Sequence, residues 1–309
     1  MRYLGFALKK RVFSGISYKK FVFTTYFSAK FIKLLVLTTL IIHTTSCSST
    51  RIIYSLAEKF LEDEVTFFID LDNEEEIRLT KQVKEIVDWH RNNMLPKYET
   101  YLRNIAEKLT KNQYSYTDIT NILMYGRSLI EETVIGLTPF ASKFLVEHQT
   151  VSDIDFLEKQ MEKRRRERQE ELSKPDNELY EIRENRLIKN FERFFGNLND
   201  RQVILIKRYA SETIDDKRVR LNNRTMRQKA FLEFLRTKPN QKSLMIYTNK
   251  LLLSGHEITN QGYRAFQDNS LVLFGKLMSD VLAVSSKMQQ EKVVTKIRKY
   301  ANDFKVFSG

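Results

Sequence analysis

Residues 72–110 read DNEEEIRLTKQVKEIVDWHRNNMLPKYETYLRNIAEKLT, and this stretch indicates the fold class of the chain. Asp72 or Asn73 is followed three residues later by a glutamate, the pattern of a capping box at a helix start. Apolar residues then recur at helical spacing. Because proline disfavours the helical conformation of its predecessor, this helix is predicted to end before Pro96, where a second helix begins. Two successive helices with no strand signal indicate an all-α protein.

The remaining chain predicts further helices, which gives an irregular all-α bundle of roughly ten helices without a fixed-period repeat. Only 9 Gly and 4 Pro occur, a composition that favours long helices over a turn-rich β protein. Thr138-Pro139 is predicted to start a short helix, with proline at its permitted first position. Ser152 is predicted to cap a long charged helix that closes at Pro175, where a weak subdivision is also expected. Near the C-terminus, helices are predicted over about 215–236, 240–253, 268–289 and 291–305.

The net charge of +13 is unevenly distributed along the chain. Residues 1–47 contain eight lysines and arginines and no acidic residue, which leaves 44 basic against 39 acidic residues, a net +5, in the remainder. Most of the basic excess is therefore typical of a targeting segment. No nucleic-acid partner is expected, because the main basic run after residue 47 has no interleaved aromatic residues.

The amino-terminal segment has the order of a secretory signal. An apolar run from Leu34 to Ile42 follows a basic stretch and leads to small residues before Cys47. The uncharged span is shorter than the roughly 20 apolar residues that a membrane crossing needs. Thr45-Ser46-Cys47 resembles the lipobox, the bacterial lipoprotein motif in which the chain is cut before the cysteine and the thiol is acylated.

This resemblance implies three segments, namely a signal peptide at 1–46, a lipidated tether at 47–50 and a helical periplasmic domain at 51–309. Cleavage after Ser46 would leave Cys47 as the lipidated residue, with membrane lipid as its partner. Thr44 departs from the motif, in which leucine is usual. No aspartate follows the cysteine, and the sorting rule of Gram-negative lipoproteins then favours the outer membrane. More than one acyl chain gives firm anchoring.

The basic region before the apolar run is about 33 residues long, which is excessive for a signal peptide. One interpretation is that translation begins downstream of Met1. The alternative is a single-pass protein with an uncleaved signal anchor over roughly residues 21–42, although Lys30 and Lys33 within it are unfavourable in lipid.

Several short motifs are spaced along the first two thirds of the chain. They are Arg51-Ile52-Ile53-Tyr54, Asp63, Leu71, Trp89-His90-Arg91, Leu95-Pro96-Lys97-Tyr98 and Gly196-Asn197-Leu198-Asn199-Asp200-Arg201-Gln202. Together they resemble an uncharacterised family of proteobacterial lipoproteins, known as a domain of unknown function, over roughly residues 47–235. Phe195 departs from the family pattern, which has tryptophan there. The resemblance implies a helical envelope lipoprotein and implies no reaction.

Trp89, His90, Arg91 and Tyr98 form the first candidate binding cluster. On a helix, Trp89 can face the core while His90 and Arg91 turn towards its edge. The cluster would then form a small polar pocket for an anionic group or a protein partner. The alternative is a structural cluster, in which the two basic side chains bond to carboxylates or to exposed carbonyls at the helix end.

The second candidate consists of the consecutive cations Lys163, Arg164, Arg165 and Arg166. They belong to the basic run Lys159–Arg168 and could contact an anionic surface, such as phospholipid headgroups or lipopolysaccharide phosphates. The alternative is a solvated helix face that is stabilised by pairs such as Glu162 with Arg166.

No catalytic residue, metal site or cofactor is predicted. The histidines after Cys47 lack a second histidine at ligand spacing, and a single cysteine excludes a cysteine-based zinc site. A cell-wall hydrolase that uses Glu or Asp stays open as an alternative, because a Glu-rich helical chain always contains carboxylate pairs. The main prediction is a lipid-anchored binding or scaffolding module, whose partner is an unknown envelope protein or an anionic surface.

Overall fold

Helices joined by short turns make up residues 56–308, the part of the chain that the computed structural model describes. In chain order they are α1 (Ala57–Phe68), α2 (Asn73–Asn93), α3 (Leu95–Thr110), α4 (Tyr116–Leu145), α5 (Val151–Leu172), α6 (Asp176–Phe195), α7 (Asp200–Glu212), α8 (Asp216–Arg236), α9 (Gln241–Leu253), α10 (Tyr263–Ala283) and α11 (Lys287–Phe307). A 3₁₀ turn, Gly255–Glu257, follows α9. The prediction of an all-α fold with roughly ten helices is confirmed.

The predicted targeting features, including cleavage at Ser46 and lipidation at Cys47, lie outside the described residues. Among the helices α1 to α11, none combines the length and the apolar character that a membrane crossing requires.

Side-chain caps explain many of the helix starts. The side chain of Asp72 accepts from the backbone N–H of Glu75, and the Glu75 side chain accepts from the N–H of Asp72, both at 2.9 Å. This is the predicted capping box, and it satisfies two N–H groups that have no partner within the helix. Gly196 follows the last residue of α6 with a φ of 74°, a conformation that residues with a Cβ atom rarely adopt. Further capping boxes start at Ser115, Thr150, Asn199 and Ser286.

The short helix predicted from Thr138-Pro139 is wrong, because α4 continues through Pro139. Proline inside a helix removes a backbone hydrogen bond and costs about 3 kcal/mol. Thr138 donates its hydroxyl to the carbonyl of Val134, and Ser142 donates to the carbonyl of Thr138, so side chains add hydrogen bonds around the proline. Packing of α4 against α2, α3, α9 and α10 stabilises the long helix.

The start predicted for α5 is displaced by two residues. Its cap is Thr150 rather than Ser152, because Thr150 and Asp153 form the capping box and Ser152 lies in the first turn.

The boundary between the last two helices is also displaced. The helix predicted over 268–289 begins at Tyr263 and ends at Ala283. Ser286 then caps α11, and its partner Gln289 completes a capping box that the sequence analysis overlooked.

The largest apolar core lies among α3, α4, α6, α7, α10 and α11. Phe195 is 2% exposed, and Ile206 and Val281 are fully buried. The packing of α3 along α11 joins two elements that are distant in the sequence.

Two smaller cores complete the domain. One lies between α1, α2 and the end of α4, and the other lies between α5, α8 and α9. Phe68 and Leu145 pack against both, so these two cores adjoin one another.

The element Gly196–Gln202, which carries part of the family resemblance, has a structural role. Gln202 is fully buried, donates to the hydroxyl of Ser285 at 2.9 Å and accepts from the amide of Gln289 at 2.9 Å. Asn199 donates to the carbonyl of Val284 at 3.0 Å. These bonds tie the α6–α7 turn to the α10–α11 turn and satisfy polar groups that burial would otherwise penalise.

Candidate anion-binding site

The four consecutive cations predicted as an anionic-surface contact lie on α5 and point in two directions. Lys163 and Arg166 are exposed, whereas Arg164 and Arg165 are partly buried. On a helix, residues three and four apart share a face, so Arg168 lies on the same face as Arg164 and Arg165. The predicted set therefore divides between solvent and a cavity.

A cavity of about 430 Å³ opens between α1, α5, α8 and α9. Its charged lining consists of Arg164, Arg165, Arg168, Arg224, Arg227 and Glu64. Its apolar lining includes Phe68, Met161, Phe231, Leu251 and Leu252. The cavity thus combines an apolar wall with five cations and one carboxylate.

Only part of this positive charge is neutralised by neighbouring side chains. Arg164 pairs with Glu64 at 3.1 Å, and Arg165 pairs with Glu162 at 3.2 Å. The sequence predicted that Glu162 pairs with Arg166, but its partner in the structure is Arg165. Within residues 56–308, the guanidinium groups of the other three lining arginines, Arg168, Arg224 and Arg227, form no ion pair. Like charges that converge on one cavity repel each other, and a bound anion would relieve that repulsion.

Two polar atoms in the cavity wall are buried and lack a hydrogen-bond partner among the described residues. They are Nε of Arg227 on α8 and Oγ1 of Thr248 on α9. Buried polar groups are normally satisfied, because leaving one without a partner costs about 1–3 kcal/mol. Both residues line the same cavity, so its wall contains two polar groups whose hydrogen-bonding capacity is unused.

Gly255 makes room for the Arg227 side chain. A Cβ atom at this glycine would lie 2.7 Å from Cδ of Arg227, closer than carbon atoms approach. The turn after α9 therefore helps to hold Arg227 against the cavity wall.

Aromatic rings position Arg164 at the α1 side of the cavity. Its guanidinium carbon lies 4.2 Å from the centre of the Phe67 ring and 5.8 Å from that of Phe68. Such cation–π contacts, together with the ion pair to Glu64, fix the position of this guanidinium.

The other predicted cluster contains Trp89, which packs against α4. Its ring lies 6.4 Å from that of Phe140. A Cβ atom at Gly136 would lie 1.9 Å from Cζ2 of the indole, so the ring occupies the space above this glycine. Trp89 therefore joins α2 to α4 as a packing residue.

His90, Arg91 and Tyr98 lie around the turn between α2 and α3. The rings of His90 and Tyr98 are 5.6 Å apart, and the Tyr98 hydroxyl bonds to that of Thr133. Burial lowers the pKa of His90. Arg91 lies 4.0 Å from the carboxylate of Asp88. The rings of His90 and Tyr98 are thus neighbours, whereas the Trp89 ring packs against Gly136 and Phe140 of α4.

Tyr98 also lines a surface groove of about 710 Å³ formed by residues of α3, α4, α7, α8, α10 and α11, whereas Trp89, His90 and Arg91 do not line it. The cluster therefore does not converge on one cavity. The arginine-lined cavity does bring charges together, and the sequence analysis missed Arg224 and Arg227. Their spacing of three on a basic helix was the available signal.

Carboxylates are sparse in the cavities described above. Glu64 is the one carboxylate that lines the arginine cavity, and none lines the groove at Tyr98. Across residues 56–308, no three His, Cys, Asp or Glu side chains are grouped so that they could hold a metal ion.

The fold and the cavity define a helical domain with a basic, partly apolar cavity. The chain belongs to the Family of unknown function (DUF6279), whose model matches residues 67–264 and so includes all five lining arginines. The expected membership of an uncharacterised family is confirmed. The match begins at residue 67 rather than near residue 47, and it extends past residue 235, where the resemblance was expected to fade. No curated protein and no solved structure matches the chain.

Proposed function

We propose that this protein is a lipid-anchored lipoprotein of the cell envelope, whose helical domain binds the phosphate group of an envelope lipid in the arginine-lined cavity. The observation that carries the proposal is the set of Arg168, Arg224 and Arg227, three guanidinium groups that face one cavity and have no ion-pair partner in residues 56–308. Phosphate is the anion that several guanidinium groups bind together by charge-assisted hydrogen bonds.

The composition of the cavity favours a lipid over a free ion. Leu252 is 50% exposed and lines the cavity together with other apolar residues. Exposed apolar surface beside cations matches the boundary between a lipid headgroup and its acyl chains. The ligand class is therefore a phospholipid or a lipopolysaccharide phosphate.

The proposed anchor is close to this cavity along the sequence. Nine residues separate Cys47 from the start of α1, which contributes Glu64 and Phe68 to the lining. A segment of this length spans at most about 35 Å. Acyl chains on Cys47 would therefore keep the cavity within reach of membrane headgroups, on the periplasmic side of the outer membrane.

Metabolic labelling with palmitate tests the anchor. We expect wild type to take up the label and to fractionate with membranes, and Cys47→Ser to lose both properties. A mature chain that still contains residues 1–46 and carries no acyl label would overturn the proposed anchor and support the uncleaved signal anchor instead.

Calorimetric titration of the purified full chain with inorganic phosphate and with dihexanoyl phosphatidic acid tests the cavity. We expect the lipid to bind more tightly, with an affinity that falls as ionic strength rises. Arg168→Met should weaken binding about tenfold or more, because one charge-assisted hydrogen bond is lost. Arg166→Met, an exposed position on the same helix, is the matched control and should bind as wild type does.

Three results would contradict the proposed ligand. They are no saturable binding of either compound, equal weakening by the two arginine substitutions, and binding of inorganic phosphate without binding of the lipid. The second result would assign the attraction to the general surface charge of α5.

A further inference from the structure

The largest apolar core contains a second cavity, of about 440 Å³, which is separate from the arginine-lined one. Helices α3, α4, α6, α10 and α11 surround it, and its wall is almost entirely apolar. Phe191, Phe195 and Ile297 are among the buried residues that face it. The two cavities share no lining residue.

This cavity is partly open to solvent, since Leu102, Ile105 and Leu187 in its wall are only partly buried. Protein interiors are packed like organic crystals and contain few voids larger than a water molecule. An engineered, enclosed apolar cavity of about 150 Å³ binds benzene, and the apolar wall of this larger, partly open cavity likewise favours an apolar ligand. Water is a poor occupant here, because it would find almost no hydrogen-bond partner in the wall.

The cavity adjoins the groove at Tyr98. Tyr101, Leu102, Leu123 and Phe274 line both spaces, so the groove and the cavity are neighbours. Tyr101 stands at this boundary and donates its hydroxyl to the carbonyl of Ile122 at 3.0 Å.

Gly126 allows that position of Tyr101. A Cβ atom at this glycine would lie 2.5 Å from the tyrosine hydroxyl oxygen. A small residue on α4 therefore leaves space at the junction between the groove and the cavity.

The groove also contains the polar residues Arg127, Arg220 and Gln267. Each arginine already has a carboxylate partner, since Arg127 lies 3.0 Å from Glu131 and Arg220 lies 3.4 Å from Asp216. The groove thus suits a polar headgroup in contact with solvent, and the apolar cavity suits the tail attached to it.

We propose that the core cavity binds one unbranched acyl chain, which enters from the groove at Tyr98 and leaves its polar head among Arg127, Arg220 and Gln267. A flexible chain adapts to an irregular apolar space between five helices better than a rigid ring system does, and it fills that space without a hydrogen bond. This site is independent of the phosphate site, because a different set of helices forms most of it.

The test is a fluorescence titration of the purified full chain with cis-parinaric acid, followed by displacement with saturated fatty acids of increasing length. We expect saturable binding of one chain per protein, with tighter binding as the chain lengthens until the cavity is filled. A lysophospholipid of the same chain length should compete as well, which would show that the chain rather than the head is recognised.

Variants that fill the cavity make the test specific. Ile105→Phe and Met278→Phe place a ring in the space and should weaken binding about tenfold or more, because a few methylene groups lose their contacts. Both variants should melt at or above the wild-type temperature if the ring enters existing space. Ile204→Phe, at a position that is 66% exposed on α7, is the control and should leave binding unchanged.

Absence of saturable binding to the wild type would overturn the proposal whatever the variants do. Folded filling variants that bind as tightly as the wild type would also overturn it. Arg227→Met should retain parinaric acid binding, so failure of the phosphate proposal and failure of this one give different results.

Discussion

The two stretches that the sequence singled out serve different purposes. The stretch around Trp89 is used for packing, because the indole occupies the space above Gly136 and joins α2 to α4. The stretch around Arg164 lines a cavity in which three arginines have no ion-pair partner within the described helices. An aromatic and a cation beside each other in a sequence therefore do not identify a binding site. Several charged side chains that line one cavity without ion-pair partners are a better indicator of a binding site.

Among the variants that test this comparison, Trp89→Ala should lower the free energy of unfolding the most. Removal of a large ring from a contact between two helices lowers the free energy of unfolding by about 3 kcal/mol or more. Urea unfolding measures the loss. Phe60→Ala is the control, because Phe60 is 66% exposed and should change stability by no more than about 0.5 kcal/mol. Equal, small losses would show that Trp89 is not a packing residue.

Gly136→Ala should give the next largest effect, a loss of about 1–3 kcal/mol, because the added methyl group overlaps the indole. Gly275→Ala on α10 is the matched control. Its Cβ atom would meet its neighbours at 3.5 Å or more, an ordinary contact. There the substitution should stabilise the helix by up to about 1 kcal/mol. Thermal melts of both variants would separate the two positions, and the same sign for both would contradict the packing of Trp89.

Arg227→Met should change stability little, within about 1 kcal/mol, although its Nε is buried. Replacing a partly buried charge that has no ion pair by an apolar side chain of similar length is often neutral or stabilising. The same substitution should weaken phosphate binding. A large loss of stability in urea unfolding would indicate that Arg227 serves the fold, as Trp89 does.

His90→Gln should give the smallest effect, visible as a change in the pH dependence of stability. Burial lowers the pKa of His90 below its unfolded value of about 6.5. The contribution of neutral His90 to stability is therefore fully present above about pH 6.5, its unfolded pKa, and is lost as the pH falls through its folded pKa. Melts from pH 7.5 to pH 5 should show a steeper decline for wild type than for the variant. Parallel curves would contradict the assigned burial effect.

Local signals allowed much of the fold to be predicted. Asp72, Ser115 and Asn199 cap helices because their side chains satisfy N–H groups within three residues, an interaction that the sequence displays directly. Pro139 was misread because packing against four other helices decides whether α4 continues, and such contacts are not local.

The candidate site could be predicted only in part for the same reason. Arg164 and Arg165 belong to a visible basic run, but Arg224 and Arg227 enter the cavity from a helix about 60 residues further along. The apolar cavity gave no signal at all, since its lining residues have the same pattern as an ordinary core. Its existence depends on how five helices fit together.

The most direct test of the central claim is nuclear magnetic resonance of the arginine side chains during a titration with dihexanoyl phosphatidic acid. We predict that the Nε–Hε signals of Arg168, Arg224 and Arg227 shift together and saturate, because their guanidinium groups gain a phosphate acceptor. The signal of Arg166 should not move. Unchanged signals for the three cavity arginines, or equal shifts for Arg166, would contradict the assignment of the cavity as a phosphate site.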